Sequence, residues 1–424
     1  MAEQIWNFGV SRRGFMAGAS GLAAGAVLAG SAQPALAQEA VAQSGQAAGG
    51  VVRNANVPNE LVGRPAEIEN ELRQPEERRL GWAVAGLGNF ATSYQIPALG
   101  RARYSELKGL VSGNPEKAAE IAARTGVQEG SVYSYDTFDQ IADNPEIDVV
   151  YVITPNSLHR DLVVRAFEAG KHVMVEKPMA TTAEDCEAMI AARDAAGKKL
   201  MVAYRAHFEP VNLMAATMIR EGQLGDLTFM SSDHHRPLDP STPKDQWRMR
   251  RELSGGGSFI DIGIYSLNGT IWFMDEAPAA LSARTWSPEG DERFAEVEAV
   301  CTVQLRFPSG RLATLSSGYI ADKKRIDAWG SQATAVLDPA TEYMGNQLRV
   351  STSEGTEDRQ SEFGSQEQFT REIDHLSQAI MNDAEVLTPG EMGLRDVRLI
   401  QAIYQSAADT GRWIELNEDG SARS

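Results

Sequence analysis

From Leu80 onward, apolar and polar positions fall in blocks whose period changes along the chain. Residues 81–85, 107–111, 149–153, 173–175 and Leu200–Ala203 are short, continuously apolar runs. Such runs mark strands buried on both faces. Helical patterns lie between them. Pro115–Thr125 is amphipathic and carries a proline where a helix starts. A helix after residue 153 runs to Ala169 and is closed by Gly170, and a further one covers Ala183–Ala196. Strands alternating with helices predict right-handed βαβ units, and therefore a doubly wound parallel sheet.

After about Tyr204 the pattern changes. Residues 214–221 read as a helix and 227–233 as a strand. Beyond Ala279 strands dominate: 297–307 and 312–319 make a hairpin about Pro308-Ser309-Gly310, and Ala333–Leu337 and 347–350 add more. A long amphipathic helix over 391–408 closes the chain. This half predicts an α+β domain with a large, mostly antiparallel open sheet and helices on one face. The expected division is 80–203 and 204–424.

The first 79 residues fit neither pattern. Ser11-Arg12-Arg13-Gly14-Phe15-Met16 precedes a Gly/Ala-rich apolar run ending near Ala32. This reads as a twin-arginine signal peptide, with small residues at Ala35 and Ala37 for cleavage before Gln38. The run is too short and too weakly apolar for a membrane anchor. Residues 38–79 are Ala/Gln/Gly-rich, then charged, with Pro58, Pro65 and Pro75. They read as an extended arm, either a spacer or a segment docked on a neighbouring subunit.

Composition narrows the classes. A chain of 424 residues accommodates two domains. A formal net charge of −18 argues against nucleic acid or an anionic membrane as partner of the mature protein. Two cysteines, Cys186 and Cys301, exclude a disulfide framework. The six histidines are scattered, and the adjacent pair His234-His235 would face opposite ways on a strand. No metal-ligand spacing appears.

Three motifs carry chemistry. Gly86-Leu87-Gly88-Asn89-Phe90-Ala91 follows a strand and opens a helix, as a dinucleotide-binding (Rossmann) fingerprint requires. Gly86 permits the tight turn, Gly88 bares the backbone to the pyrophosphate, and Ala91 keeps helix and strand close. The next strand ends Ser112-Gly113-Asn114 without the carboxylate that binds an NAD ribose. Ser112, with Lys117 one turn later, favours NADP. Thr154, Asn156 and His159 lie after another strand end, where Asn156 could also cap the following helix and His159 could simply pack. Glu176-Lys177-Pro178 sets a lysine at the next strand end, and Pro178 keeps Lys177 out of the helical region. Gly255-Gly256-Gly257 then leads into Asp261 and Tyr265, four apart and on one helical face. A triple glycine points to close approach by a ligand or another backbone.

In this order and context the motifs resemble the glucose–fructose oxidoreductase/inositol dehydrogenase (Gfo/Idh/MocA) family, from about Leu80 to Trp413. The stretches 110–114, 246–251, 261–270 and 396–404, the signal and the arm are most similar to the branch that couples glucose oxidation to fructose reduction. Relatives carry His where Tyr265 stands, so the tyrosine narrows the resemblance to the sugar-oxidoreductase and dihydrodiol/xylose dehydrogenase branches. The segment Asp233-His234-His235-Arg236-Pro237, expected as a pocket-side loop, departs from the glucose–fructose pattern and leaves the substrate open.

The resemblance implies Lys177 and Tyr265 as the catalytic pair, with Asp261 assisting. It implies that Gly86, Leu87, Gly88, Asn89, Ser112, Lys117, Thr154, Asn156, His159, Glu176 and Lys177 line the NADP site. Arg205, Trp247 and Arg248 would contact cofactor or sugar. Subunits would pair through the open sheet as a homodimer or homotetramer. Tyr265 would take the hydroxyl proton, and a lysine within hydrogen-bond reach would lower its pKa from about 10. An exported enzyme must bring its NADP with it through the twin-arginine machinery. That implies a retained cofactor cycled by two sugars in the periplasm. The alternatives are a dissociable NADP-dependent xylose-type or dihydrodiol dehydrogenase, and a non-catalytic binding protein on the same scaffold.

Overall fold

The computed structural model describes residues 79–359 and 367–423. The expected signal segment and the arm, Arg79 excepted, lie outside the described residues.

Strand β1 (Leu80–Ala85), helix α1 (Ile96–Arg101), β2 (Ser105–Val111), α2 (Pro115–Thr125), β3 (Val132–Tyr133), β4 (Val149–Val152), α3 (His159–Glu168), β5 (His172–Glu176), α4 (Ala183–Ala196) and β6 (Leu200–Ala203) follow in turn. The six strands make one parallel sheet in the order β3-β2-β1-β4-β5-β6. Its order reverses between β1 and β4, the place where α/β sheets open a crevice at the strands' carboxyl ends. Every residue of β1 and β4 is buried, because both faces of the sheet are covered. Ala83, Val150 and Val173 pack into one core, while Trp82, Val149 and Met174 pack into another on the opposite face. This explains the unbroken apolar runs. Two of the helices start at side-chain caps that satisfy free helix N–H groups: Asn114 accepts from the Lys117 N–H before α2, and Thr182 accepts from the Asp185 N–H before α4.

The second half contains α5 (Pro210–Arg220), β7 (Leu227–His235), α6 (Ile264–Met274), β8 (Ala280–Trp286), β9 (Val300–Arg306), β10 (Leu312–Gly318), β11 (Lys323–Gly330), β12 (Ala333–Leu337), β13 (Leu348–Thr352), β14 (Gly355–Arg359), α7 (Glu367–Met381), α8 (Gly390–Ala408) and β15 (Ile414–Glu415). Its nine-stranded sheet has the order β14-β13-β12-β11-β7-β10-β9-β8-β15. Only the β7–β10 pair is parallel. Along β9, Cys301, Val303 and Leu305 are buried while Thr302, Gln304 and Arg306 are exposed. One face therefore carries α6 and the core, and the other is open.

The structure changes three expectations. Strand β7 continues to His235 because β10 and β11 pair with it on both sides up to that residue. Asp233–His235 is thus strand, and only Arg236-Pro237 belongs to a loop. Strand β9 begins at Val300 rather than 297. Helix α7 was not expected. Its apolar residues Phe369, Ile373 and Leu376 keep helical spacing, yet Thr370, Glu372, Asp374 and Ser377 are buried beside them. The apolar spacing was therefore present in the sequence, and what it does not reveal is that the polar residues between are buried as well.

Helices α7 and α8 return from the second half to the first sheet. Helix α8 packs on α4, β6 and β8. Helix α7 packs on α1 and β2, and its contact is polar as well as apolar. Trp82 Nε1 donates to Ser377 Oγ at 3.0 Å in a buried bond. The Asp374 carboxylate accepts the backbone N–H groups of Arg103 (2.8 Å) and Tyr104 (2.9 Å) and the Ser105 hydroxyl (2.9 Å). These fasten the turn between α1 and β2 to the second half. Asp374→Ala strips two backbone donors of their acceptor, so it should cost about 2–4 kcal/mol. Thermal and denaturant unfolding measure this, and an unchanged midpoint would remove Asp374 as a fastening.

Candidate active site

The site lies at the carboxyl ends of β1, β4, β5 and β6, where the start of α6 meets them. At β1 the chain turns through Gly86, whose φ is +99°. A Cβ there would stand 2.3 Å from the Ile153 carbonyl oxygen, so glycine is required. A Cβ on Gly88 would point into open space, leaving the loop backbone bare on that side. Helical turns run on from Asn89 to Arg101, with a π-helical stretch over Ala91–Gln95. Ala91 and the Leu87 side chain are buried, so Leu87 offers only its backbone to the crevice. Beside the loop, Thr154 Oγ1 is buried with no hydrogen-bond partner among the described residues. A left-handed glycine turn, a bare backbone and an orphaned hydroxyl together fit a dinucleotide's phosphates.

At the end of β2, Ser112 is nearly buried and its Oγ accepts from the Asn114 N–H at 3.0 Å. The Lys117 side chain is exposed. Two other cofactor candidates make hydrogen bonds within the chain. Asn156 does not cap its helix; Nδ2 donates to the Ser254 carbonyl at 2.8 Å, tying β4's loop to the glycine segment. The fully buried His159 ring lies against the carbonyls of Pro178 (3.0 Å), Met179 (3.2 Å) and Thr154 (3.0 Å). It braces the loops after β4 and β5 against each other, the packing alternative raised for it above.

Lys177 follows β5 directly, at a cis peptide bond to Pro178. Its Nζ donates to the Asp261 carbonyl at 2.6 Å and lies 3.6 Å from Asp261 Oδ1. It also sits 4.9 Å from the centroid of the Tyr265 ring. Burial lowers its pKa, and Asp261 and Glu176 oppose that. Glu176 accepts from Tyr151 OH at 2.5 Å; burial raises its pKa.

Asp261 and Tyr265 sit on either side of a helical junction, the first in a π turn over Phe259–Gly263 and the second in α6. The glycines before them serve close packing of chain on chain. A Cβ on Gly256 would meet Tyr404 OH at 2.3 Å, and one on Gly257 would meet the Glu298 carbonyl at 2.2 Å. The Glu298 carboxylate accepts from the N–H groups of Gly257 and Phe259, each at 2.9 Å. It thereby satisfies orphan donors at this helical start. Glu298, remote in sequence, carries no motif that would reveal it.

Asp261 is buried and saturated with donors. Oδ2 accepts from Arg248 Nε (2.8 Å) and Tyr319 OH (2.8 Å), with Arg236 at 3.5 Å. Burial alone would raise its pKa, but the charges of Arg248, Lys177 and Arg236 hold it well below the usual carboxylate range. It is a fixed anion, not a proton carrier. Asp245 supports the clamp by accepting from both terminal nitrogens of Arg236, at 2.8 and 3.2 Å. Trp247 lies half-buried against Arg248, whose Cζ is 4.3 Å from the ring centroid.

Tyr265 is 8% exposed. Its hydroxyl accepts from Arg205 Nε at 3.0 Å, whereas the expected reach of Lys177 to that oxygen is not found. Lys177 is committed to Asp261 instead. Burial pushes the phenol up to about 12, opposed mainly by Arg205. On the far side His234 stacks on the Tyr265 ring at 4.8 Å and 15°, its Nδ1 2.8 Å from Thr341 Oγ1. His234 was noted as one of an adjacent pair and as part of a pocket-side segment, but was given no role of its own. Its strand alternation was the available signal, since it makes His234 the inward member.

The first sheet matches a model described as an oxidoreductase family with an NAD-binding Rossmann fold, over residues 80–204. The second half matches that family's C-terminal alpha/beta domain, over residues 216–416. The chain belongs to the Gfo/Idh/MocA oxidoreductase family. Within that family, a D-xylose 1-dehydrogenase [NADP(+)] of Haloarcula marismortui is 32% identical over 339 residues, covering 79% of this chain and 93% of that protein. The crystal structure of an aldose–aldose oxidoreductase from Caulobacter crescentus superimposes with a TM-score of 0.77 at 44% identity, over 80% of this chain and all (100%) of that one. An inositol dehydrogenase homologue of Azotobacter vinelandii, complexed with NAD+, shares the fold with a TM-score of 0.72 at 21% identity, over 80% and 97% of the two chains. This Gfo/Idh/MocA chain is accordingly an NAD(P)-dependent oxidoreductase.

Asp261→Asn leaves Lys177, Arg248 and Arg236 around a neutral amide. Breaking a buried pair in this way costs about 3–5 kcal/mol. A depressed carboxylate pKa adds stability that is complete above the unfolded value of about 3.9 and is lost as pH falls below it. The stability gap between wild type and Asp261→Asn should therefore hold from neutrality down to about pH 4 and close below that. Unfolding midpoints across that range measure it, and a gap that closes nearer neutrality would contradict the clamp.

Proposed function

We propose that this protein is a periplasmic, NADP-dependent sugar oxidoreductase that keeps its cofactor and passes a hydride from one sugar to another. The observation that carries the reading is the phenol of Tyr265, buried between a guanidinium and a lysine at the mouth of a dinucleotide crevice. Support for a sugar substrate comes from the xylose dehydrogenase and aldose–aldose oxidoreductase relatives. NADP is favoured because Ser112-Gly113-Asn114 offers no carboxylate to a ribose and Lys117 stands free to meet a phosphate. Gly86, Gly88, Asn89 and Thr154 would hold the pyrophosphate side.

When bound, the nicotinamide accepts a hydride in one half-reaction and returns it in the other. The chain's residues handle the proton. In the first half, an aldose loses the hydrogen on C1 as hydride and its hydroxyl proton passes to Tyr265 Oη, leaving a lactone. Lys177, anchored by Asp261, orients the reacting oxygen and stabilises its negative charge. In the second half, the carbonyl carbon of another sugar receives the hydride and Tyr265 returns the proton to its oxygen, giving an alditol. The name of the Caulobacter relative favours a second aldose as acceptor; a fructose-like ketose would serve the same chemistry. Because burial keeps the phenol protonated, aldose oxidation should rise with pH while carbonyl reduction is sustained.

Location supports retention. The twin-arginine signal exports folded chains, and the periplasm offers no ready supply of NADP. A trapped cofactor then requires ping-pong turnover, with residues 38–79 as a clasp and subunits joined through the open sheet.

Purified mature protein, freed of small molecules and denatured, should release NADP near one equivalent per chain. Removal of residues 38–79 should accelerate its loss. An empty wild-type protein would replace this scheme with a dissociable xylose-type dehydrogenase. Tyr265→Phe should retain the nucleotide but lose about 10²–10⁴-fold in kcat. Turnover at the wild-type rate would remove Tyr265 from the chemistry.

A further inference from the structure

We propose that Arg205, rather than Lys177, is the positioning residue that sets the proton affinity of Tyr265. The inference rests on the reading of Tyr265 as proton acceptor and donor, and it assigns to Arg205 a task that the family resemblance implied for the lysine.

Arg205 opens the helical turn Arg205–Phe208, directly after β6 and Tyr204. It is 3% exposed, and each of its three nitrogens has a partner. Nε donates to Tyr265 OH at 3.0 Å, Nη1 to Gln368 Oε1 at 2.7 Å and Nη2 to the Thr341 carbonyl at 2.8 Å. Gln368 is itself turned towards the carbonyls of Glu342 and Tyr343, at 3.2 and 3.3 Å. The guanidinium also lies between two phenol rings, 4.6 Å from the Tyr265 centroid and 4.5 Å from that of Tyr343. It cannot swing away without breaking all of these contacts. A cation held in this way solvates a phenolate with no reorganisation as the proton leaves.

Lys177 is differently placed. Its ammonium is bound to the Asp261 carbonyl and faces the tyrosine ring, not its oxygen. The charged and titratable groups around the phenol are few and can be assigned. Glu176 and Lys177 come from the end of β5, Arg205 from the end of β6 and Asp261 from the turn before α6. His234 comes from β7, Tyr343 from the β12–β13 connection, Tyr151 from β4 and Glu372 from α7. Glu176 and Asp261 disfavour the phenolate, while Arg205 favours it by charge and by hydrogen bond. Burial keeps His234 neutral. Arg205 is thus the only group in this set that both neutralises and hydrogen-bonds the oxygen.

The test reads the phenol itself. Difluorotyrosine incorporated at position 265 titrates at lower pH than tyrosine, and fluorine NMR follows it in the nucleotide-loaded protein without turnover. Arg205→Met should move that titration up by about one to two pH units, the size of a lost charged hydrogen bond. The ascending limb of aldose oxidation should move with it, while the KM for the aldose changes less than kcat. Arg205→Lys should recover part of the shift; if Arg205→Met does not fold, any upward shift in Arg205→Lys supports the assignment. An unmoved titration in the folded variant overturns it, as does a larger shift in Lys177→Met. The reading of Tyr265 as the acid–base group fails separately, through a fully active Tyr265→Phe, and the titration would still decide what Arg205 does.

Discussion

A carboxylate with almost no contact with water must be surrounded by positive charge and hydrogen-bond donors, and Asp261 is such a group. Its neutralisation recruits Lys177 from the first sheet, Arg236 from the segment after β7, Arg248 from the connection to α6 and Tyr319 from beyond β10. No single element could supply these partners. The ionised state of one side chain therefore fixes the meeting of both sheets at the crevice. The same arrangement holds Asp261 as an anion beside the phenol of Tyr265.

The meeting of the sheets is held elsewhere too. Helix α7 fastens to the α1–β2 turn through Asp374 and to β1 through the Trp82–Ser377 bond. Its first turn carries Gln368, which holds Arg205. Next to it Phe369 joins Phe90, Tyr94 and Tyr343 in an aromatic cluster at the start of the dinucleotide helix. The packing at the start of that helix and the hold on Arg205 thus share one wall.

What could be read from the sequence follows physical range. The parallel strands were legible because burial on both faces leaves unbroken apolar runs, and Pro115–Thr125 and Ala183–Ala196 because caps and periodicity agree at both ends. The glycine turn at Gly86 and the Lys177, Asp261 and Tyr265 set were legible as local motifs. The tie made by Asn156, the Glu298 cap and the hold of Gln368 on Arg205 were not. Each depends on residues about 40 to 160 positions apart that only the fold brings together. Helix α7 was legible from the spacing of Phe369, Ile373 and Leu376 and was passed over; that its polar residues are buried against distant partners is what periodicity cannot see. The expected tyrosine–lysine hydrogen bond came with the family resemblance, and local sequence could not check it. Which atom a cation reaches depends on who else claims it, and Asp261 claims Lys177 first.

That competition bears on how one site could serve two opposite half-reactions. Oxidation needs a phenolate, and reduction needs a phenol. A lysine on the phenol oxygen would bias the pair towards the ionised form and, with its pKa lowered by burial, could itself lose a proton. A guanidinium cannot, because its pKa lies above 12. With Arg205 on the oxygen and burial opposing it, the proton stays on Tyr265 at rest, yet its departure meets a charge already in place. Lys177, freed from that duty by Asp261, remains available to the oxygen of whichever sugar is bound. On the proposed assignment, a permanently charged residue for the tyrosine and a tethered lysine for the substrate would let the same groups run in both directions.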